Sequence, residues 1–299
     1  MDELERVQNS STKGFFSLLG AAFIYGTFGI LIRYISPGFG DNFQIVVRFF
    51  LAFLFIFFFN RITKQTKGLP KRVFLKAMIL GIISAIITVF FTYSVLNTKL
   101  TNSVVLLYAG SLTSSFLIGT FYFKESVTKT KLATFIIAFI GIAMYSDALF
   151  SFSFGILTGL VSGVFDGIEN SIRRTLKEIN RNIILQYFFA FGFLFSLMVT
   201  FLSGEHMIKN VSISIVAVTI IYALLIIILS NLLLYGFQHF DVNIGTVILS
   251  MEFVFTLLIG VILYKEIPTQ KEFFGGFLIF TASVLTGISA KKSRMKFKK

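Results

Sequence analysis

The sequence predicts an all-α membrane protein: ten transmembrane helices forming two inverted five-helix repeats, residues 1–149 and 150–299, with both termini cytoplasmic. Three observations predict it. Hydrophobic residues make up 56% of the chain and charged residues only 14%, with a mean hydropathy of +0.86. Ten apolar stretches follow one another, most of them near the length a bilayer requires. The sequence also matches itself weakly at an offset of 141 positions.

The composition excludes several classes. A soluble domain has about 25% charged residues, and a soluble globule could not hide this much apolar surface. Disorder is excluded because apolar side chains are abundant. The formal charge of +13 is spread over short connections rather than gathered on one face, which argues against nucleic acid. Without cysteine there are no disulfides, iron–sulfur clusters or thiolate metal sites. The polar start, Met1–Lys13, leads into an apolar stretch with no convincing cleavage site, so a retained first helix is expected.

A helix needs about 20 apolar residues to cross the hydrocarbon. The segments are 15–35, 43–60, 74–96, 101–123, 132–147, 152–174, 182–203, 213–237, 242–264 and 272–289. Pro37, Pro70 and Pro268 all fall between them, where the chain must turn. Counted by alternate connections, 21 Lys and Arg lie on the side of the termini and 5 on the other, with Arg48 inside a segment. Basic connections stay cytoplasmic, which sets the orientation. The basic tail from Lys291 reads as an anchor at anionic lipid of the inner leaflet.

At the offset of 141, Leu117-Ile118-Gly119 meets Leu258-Ile259-Gly260, and Lys124-Glu125 meets Lys265-Glu266. Asn102, Thr128 and Phe139 meet Asn243, Thr269 and Phe280, while Gly14, Gly26 and Arg33 meet Gly155, Gly167 and Arg174. Five segments per half is an odd number, so the second half enters the membrane from the opposite side. Inverted repeats of this kind rock about a site near the midplane.

The motifs resemble the EamA-type family of the drug/metabolite transporter superfamily. Tyr25-Gly26-Thr27 resembles its Trp-Gly segment, and Val47-Arg48-Phe49-Phe50-Leu51-Ala52 its Arg-Phe stretch. Glu125 matches the acidic residue that ends the fourth helix, and Ser250-Met251-Glu252-Phe253-Val254 resembles the Leu-Glu-Pro-Val element, followed by Glu266. Leu112 and Phe253 stand where the family has proline, so proline kinks are not expected in the segments 101–123 and 242–264. The resemblance implies export or exchange of small metabolites by secondary transport from a multi-pass position in the cytoplasmic (inner) membrane. Amino acids or amines are the expected class, with multidrug or hydrophobic-cation efflux and a lipid or lipid-linked-sugar flippase as alternatives.

Charges at membrane depth are costly and usually face a cavity. Glu252, ten residues into its segment, is the first candidate for substrate binding and for proton coupling. A carboxyl held away from water there can exchange a proton near neutral pH. Thr256 lies one turn on and Gly245 two turns back. Asp166, Glu169 and Arg173 share one helix face by their spacing of 3 and 4. Glu169 and Arg173 read as a structural pair. Asp166, the counterpart of Tyr25 in the repeat, reads equally as a site residue or as the partner of an arginine. Below it Gly155, Gly159, Gly163 and Gly167 recur every fourth residue, a pattern that lets helices approach closely.

Arg48 has two readings: a bidentate receptor for a substrate carboxylate, or a side chain that snorkels to the interface or pairs with a carboxylate. The second is favoured. Glu125 and Glu266 read as interfacial structure. Tyr25, Tyr93, Asn97, Tyr108, Ser111, Ser230, Asn231 and Tyr235 complete the expected cavity lining, between the first, third, fourth, sixth, eighth and ninth segments; aromatic walls suit flat or cationic metabolites. Expected partners are a small-molecule substrate, membrane lipids and, where coupling uses them, protons, with the chain a monomer or weak homo-oligomer.

An enzyme is disfavoured. His206 and His239 fall in connections, leaving no buried Ser–His pair or intramembrane histidine metal cluster. No phosphate-binding glycine loop with a following Lys-Ser/Thr is present. No cofactor and no metal are expected, and no segment reads as a channel filter.

Overall fold

The computed structural model describes residues 2–65, 68–145, 153–176, 180–264 and 269–296. Among these residues the chain forms eleven α-helices and one π-helical turn. They are α1 (Asp2–Ile35), α2 (Phe43–Ile62), α3 (Lys71–Asn97), α4 (Leu100–Leu117) continued by the π turn (Ile118–Tyr122), α5 (Lys129–Tyr145), α6 (Phe154–Arg174), α7 (Arg181–Ser203), α8 (Ile213–His239), α9 (Val242–Leu249), α10 (Met251–Tyr264) and α11 (Gln270–Lys296). Each apolar segment of the sequence coincides with one helix, except 242–264, which is divided between α9 and α10.

Seven stretches among the described residues are long and apolar enough to cross a membrane: Thr12–Ile35, Phe43–Ile62, Lys71–Asn97, Leu100–Tyr122, Arg181–Ser203, Ile213–His239 and Val242–Ile259. A helix of 20 residues rises about 30 Å, the thickness of the hydrocarbon. α5, α6 and α11 fill the remaining three segments without meeting both criteria. Large apolar side chains such as Phe58, Ile221, Ile228 and Phe277 point outward, as expected of a surface solvated by lipid rather than water.

The packing is symmetric under exchange of the two halves. α1 lies along α8 as α6 lies along α3, and α1 meets α9 and α10 as α6 meets α4. The equivalent residues Gly26 and Gly167 make equivalent contacts. A Cβ at Gly26 would press on Thr256 and touch the Glu252 carbonyl, and one at Gly167 would run into the backbone of their counterparts, Ser115 and Ser111. The sequence repeat is therefore also a repeat of contacts.

Two helices are irregular although neither contains proline. α4 widens into the π turn at Ile118, where Phe123 N–H bonds to the Ile118 carbonyl at 3.1 Å, and Gly119 there abuts the Asn243 side chain of α9. The ninth segment breaks at Ser250. The Val247 carbonyl accepts the hydroxyls of Ser250 and of Ser283 on α11, each at 2.7 Å. Hydroxyls inserted into the ladder bend a helix much as proline does. These bends form without proline, whose absence from both segments the sequence shows.

The two ends of the bundle are closed differently. At the end opposite the basic connections, the stretches before α2 and α8 pair through a bridge between Phe39 and Ile208. The Glu205 carboxylate accepts from the N–H groups of Asn42 (2.9 Å) and Phe43 (2.6 Å), filling the free donors at the α2 N-terminus with the charge its dipole favours. At the basic end, Arg174 pairs with Glu125 and with Asp241 (3.0 Å), Lys131 pairs with Asp241 (2.7 Å), and Glu125 accepts from Val242 N–H at 3.0 Å. Glu125 thus ties α6 to the start of α9, and interfacial structure describes it well. Glu266, with Lys265, lies outside the described residues.

A cavity of carboxylates and phenols between the two halves

α6 can approach α4 closely because its glycine row faces the α4 backbone. At Gly163 a Cβ would meet the Leu107 carbonyl and Gly110, and at Gly159 it would meet Leu106 and Ser94. This contact brings the Ser111 hydroxyl to 2.5 Å from Asp166, which also accepts from Asn170 at 2.9 Å. The small residues thus hold a buried carboxylate against hydroxyl and amide donors.

Beside Asp166 lies a cavity with about 710 Å³ of empty space, its mouth included, lined by α1, α2, α3, α4, α6, α7, α8 and α10. The two halves contribute equivalent faces. α1 presents Tyr25, Phe28 and Ile32, and α6 presents their counterparts Asp166, Glu169 and Arg173. Glu252, on the first turn of α10 just past the break, completes the charged set. Three carboxylates and one guanidinium face one space, an excess of acid. Phenols of Tyr25, Tyr108 and Tyr222 stand among apolar walls.

Glu252 is buried and accepts the Tyr108 hydroxyl at 2.6 Å; among the described residues no cation pairs with it. Arg173 and Glu169 form a buried ion pair at 2.9 Å with the predicted i,i+4 spacing. Sequence reasoning placed that pair towards a helix end as structure; the fold makes it cavity wall. Tyr222, Phe91 and Phe188 also line the cavity and were not singled out.

Of the predicted residues, Tyr25, Tyr108, Asp166, Ser230 and Glu252 line this cavity, and Ser111 supports Asp166 from behind. The others lie away from it. The Tyr93 hydroxyl accepts from the Asn42 amide at 2.9 Å and Asn97 bonds to the Tyr93 carbonyl at 2.7 Å, both towards the end that Glu205 caps. Tyr235 lies under Arg181, 4.9 Å from guanidinium to ring centre, and Asn231 is half-buried on the same helix. Thr256 is buried with its backbone against Gly26.

Arg48 overturns its favoured reading. It is fully buried (0% exposed), so it does not snorkel, and among the described residues no carboxylate pairs with it. Its Nε donates to the Gln44 carbonyl at 3.1 Å, and its guanidinium lies 4.4 Å over the Tyr222 ring.

Outside the membrane-spanning segments, the Glu125 carboxyl is held above its ordinary pKa. Burial is the main cause and the Asp241 charge adds to it, while Arg174 pulls the other way. Among the described residues no three His, Cys, Asp or Glu side chains gather as metal ligands would.

A crystal structure of a protein superposes on the chain with a TM-score of 0.73, covering 94% of this chain and 98% of that one at 15% identity, so the likeness is one of fold. No curated protein sequence matches. The family model of the EamA-like transporter family matches twice, over residues 12–146 and 153–288, together nearly the whole chain. The two matches coincide with the two halves whose contacts repeat. With its several membrane-crossing helices, this multi-pass integral membrane protein belongs to the EamA-like transporter family.

Proposed function

We propose that the chain is a secondary transporter, exporting or exchanging a small metabolite that carries an amine, such as an amino acid or a simple amine. It works by alternating access between halves 1–149 and 150–299, inverted in a ten-span topology with cytoplasmic termini. The observation that carries this reading is Glu252: a buried carboxylate with no cationic partner among the described residues, at a helix break, in a cavity between the halves. Discontinuous helices at the repeat interface are where inverted-repeat carriers hold substrates and coupling ions. The acid excess favours a cation, and a proton competing with the substrate's ammonium for Glu252 would couple the two movements.

The test is counterflow in proteoliposomes with a panel of amino acids and amines under an imposed pH gradient. Glu252→Gln should abolish exchange and its pH dependence together. Unchanged exchange in that variant would remove Glu252 from the mechanism. The aromatic wall of Phe28, Phe91 and Phe188 supports a second reading, efflux of hydrophobic cations. In that case bulky quaternary ammonium ions would be carried as well as small amines.

A further inference from the structure

The Arg48 guanidinium is fully buried; among the described residues no well-formed hydrogen bond reaches either Nη atom, and the polar group beside it is the Tyr222 phenol. One turn away, Gln44 is equally buried, and among the described residues its side-chain oxygen and nitrogen are also without partners. An unpaired charge and an unsatisfied amide side by side at membrane depth are a costly arrangement. The fold does not impose it. At the repeat offset the counterparts of Gln44 and Arg48 are Leu185 and Phe189, themselves 1% and 0% exposed. The same position on the equivalent helix is therefore filled by an apolar pair.

What lies against the guanidinium is Tyr222, and Tyr222 is also a wall of the cavity that holds Glu252. Tyr222 thus touches both the guanidinium and the cavity. We propose that Arg48 and Gln44 receive the anionic group of the transported molecule, a carboxylate, when the Tyr222 ring swings aside. The guanidinium fork matches the two carboxylate oxygens, and the Gln44 amide adds a third donor. With the ammonium at Glu252 and the carboxylate at Arg48, the preferred cargo is a zwitterion. This rests on the transport reading above and narrows its substrate class.

The experiment is thermal stabilisation of the purified full-length chain by acetate, and separately by chloride, in a buffer whose only other anion is a bulky sulfonate. Acetate should raise the wild-type midpoint in a saturable way. In Arg48→Phe, which copies Phe189, the required concentration should rise at least about tenfold, the scale of a lost charge-assisted bond. Arg48→Lys, which keeps the charge without the fork, should fall between. An acetate response equal in wild type and Arg48→Phe, or missing from both, would overturn the proposal. Chloride acting as well as acetate would also overturn it, by marking an inorganic anion site. Glu252→Gln should leave the acetate response intact. If that response persists while the wild-type chain exchanges none of the amines or amino acids, the transport reading fails and the Arg48 site stands.

Discussion

The two halves of this chain share a framework and differ in what they place on it. On α1 the cavity face is Tyr25, Phe28 and Ile32; on α6 the equivalent face is Asp166, Glu169 and Arg173. On α7 the buried pair is Leu185 and Phe189; on α2 the equivalent pair is Gln44 and Arg48. Each half thus supplies the control for the other. Where one copy folds with apolar side chains, charge in the other copy is not a requirement of packing. The two buried arginines differ in turn, since Arg173 has the Glu169 carboxylate at 2.9 Å, whereas among the described residues Arg48 has no carboxylate, only the Gln44 carbonyl and the Tyr222 ring.

That contrast predicts opposite outcomes for similar substitutions. The largest effect is expected at Arg173. Arg173→Ile, copying Ile32, strands Glu169 without its counter-ion and should cost about 3–5 kcal/mol, seen as a lower unfolding midpoint in detergent. Adding Glu169→Phe, copying Phe28, should restore most of it; failure to recover would mean that the two faces are not interchangeable. Arg48→Phe should act in the other direction, with stability unchanged or raised by about 1–4 kcal/mol, because an unpaired buried charge is removed. A large loss there would show that Arg48 is structural after all.

A smaller effect is expected from the glycine contact. Gly163→Ala should cost about 1–3 kcal/mol by overpacking against Leu107. The equivalent residue on α1 is already Ala22, fully buried, so α1 accepts the Cβ that α6 cannot. The smallest effect concerns the basic end. A carboxyl whose pKa is higher folded than unfolded binds its proton more tightly when folded. Its contribution therefore improves as pH falls through the folded value and is lost as pH rises. Glu125 is such a group. Glu125→Gln should flatten the pH profile of stability from about pH 4.5 upward, the ordinary carboxylate range; an unchanged slope would place that titration elsewhere.

Much of the framework was legible before any coordinates. The apolar segments foretold the helices because lipid leaves backbone polar groups no partner but their own helix. The spacing of Asp166, Glu169 and Arg173 put them on one face, and the glycine row on α6 foretold a close neighbour. Their destination was not legible. Whether Glu169 and Arg173 meet lipid, another helix or a cavity depends on what α1 and α3 place opposite them. The break at Ser250 involves Ser283, whose hydroxyl donates to the Val247 carbonyl thirty-six positions away in sequence. Proline is a local signal for a bend, whereas a hydroxyl arriving from another helix leaves no local trace.

By itself, the sequence determined the solvent, the helices, the duplication and which few charges lie inside apolar segments, because each follows from composition or from periodicity along one chain. The tertiary structure decided which charges are paired. Arg48 and Arg173 are alike as letters in an apolar segment; burial beneath Tyr222 isolates one, and a helical turn gives the other its carboxylate. Electrostatic energy depends on distance through the fold, and distance between helices is not written in any one of them.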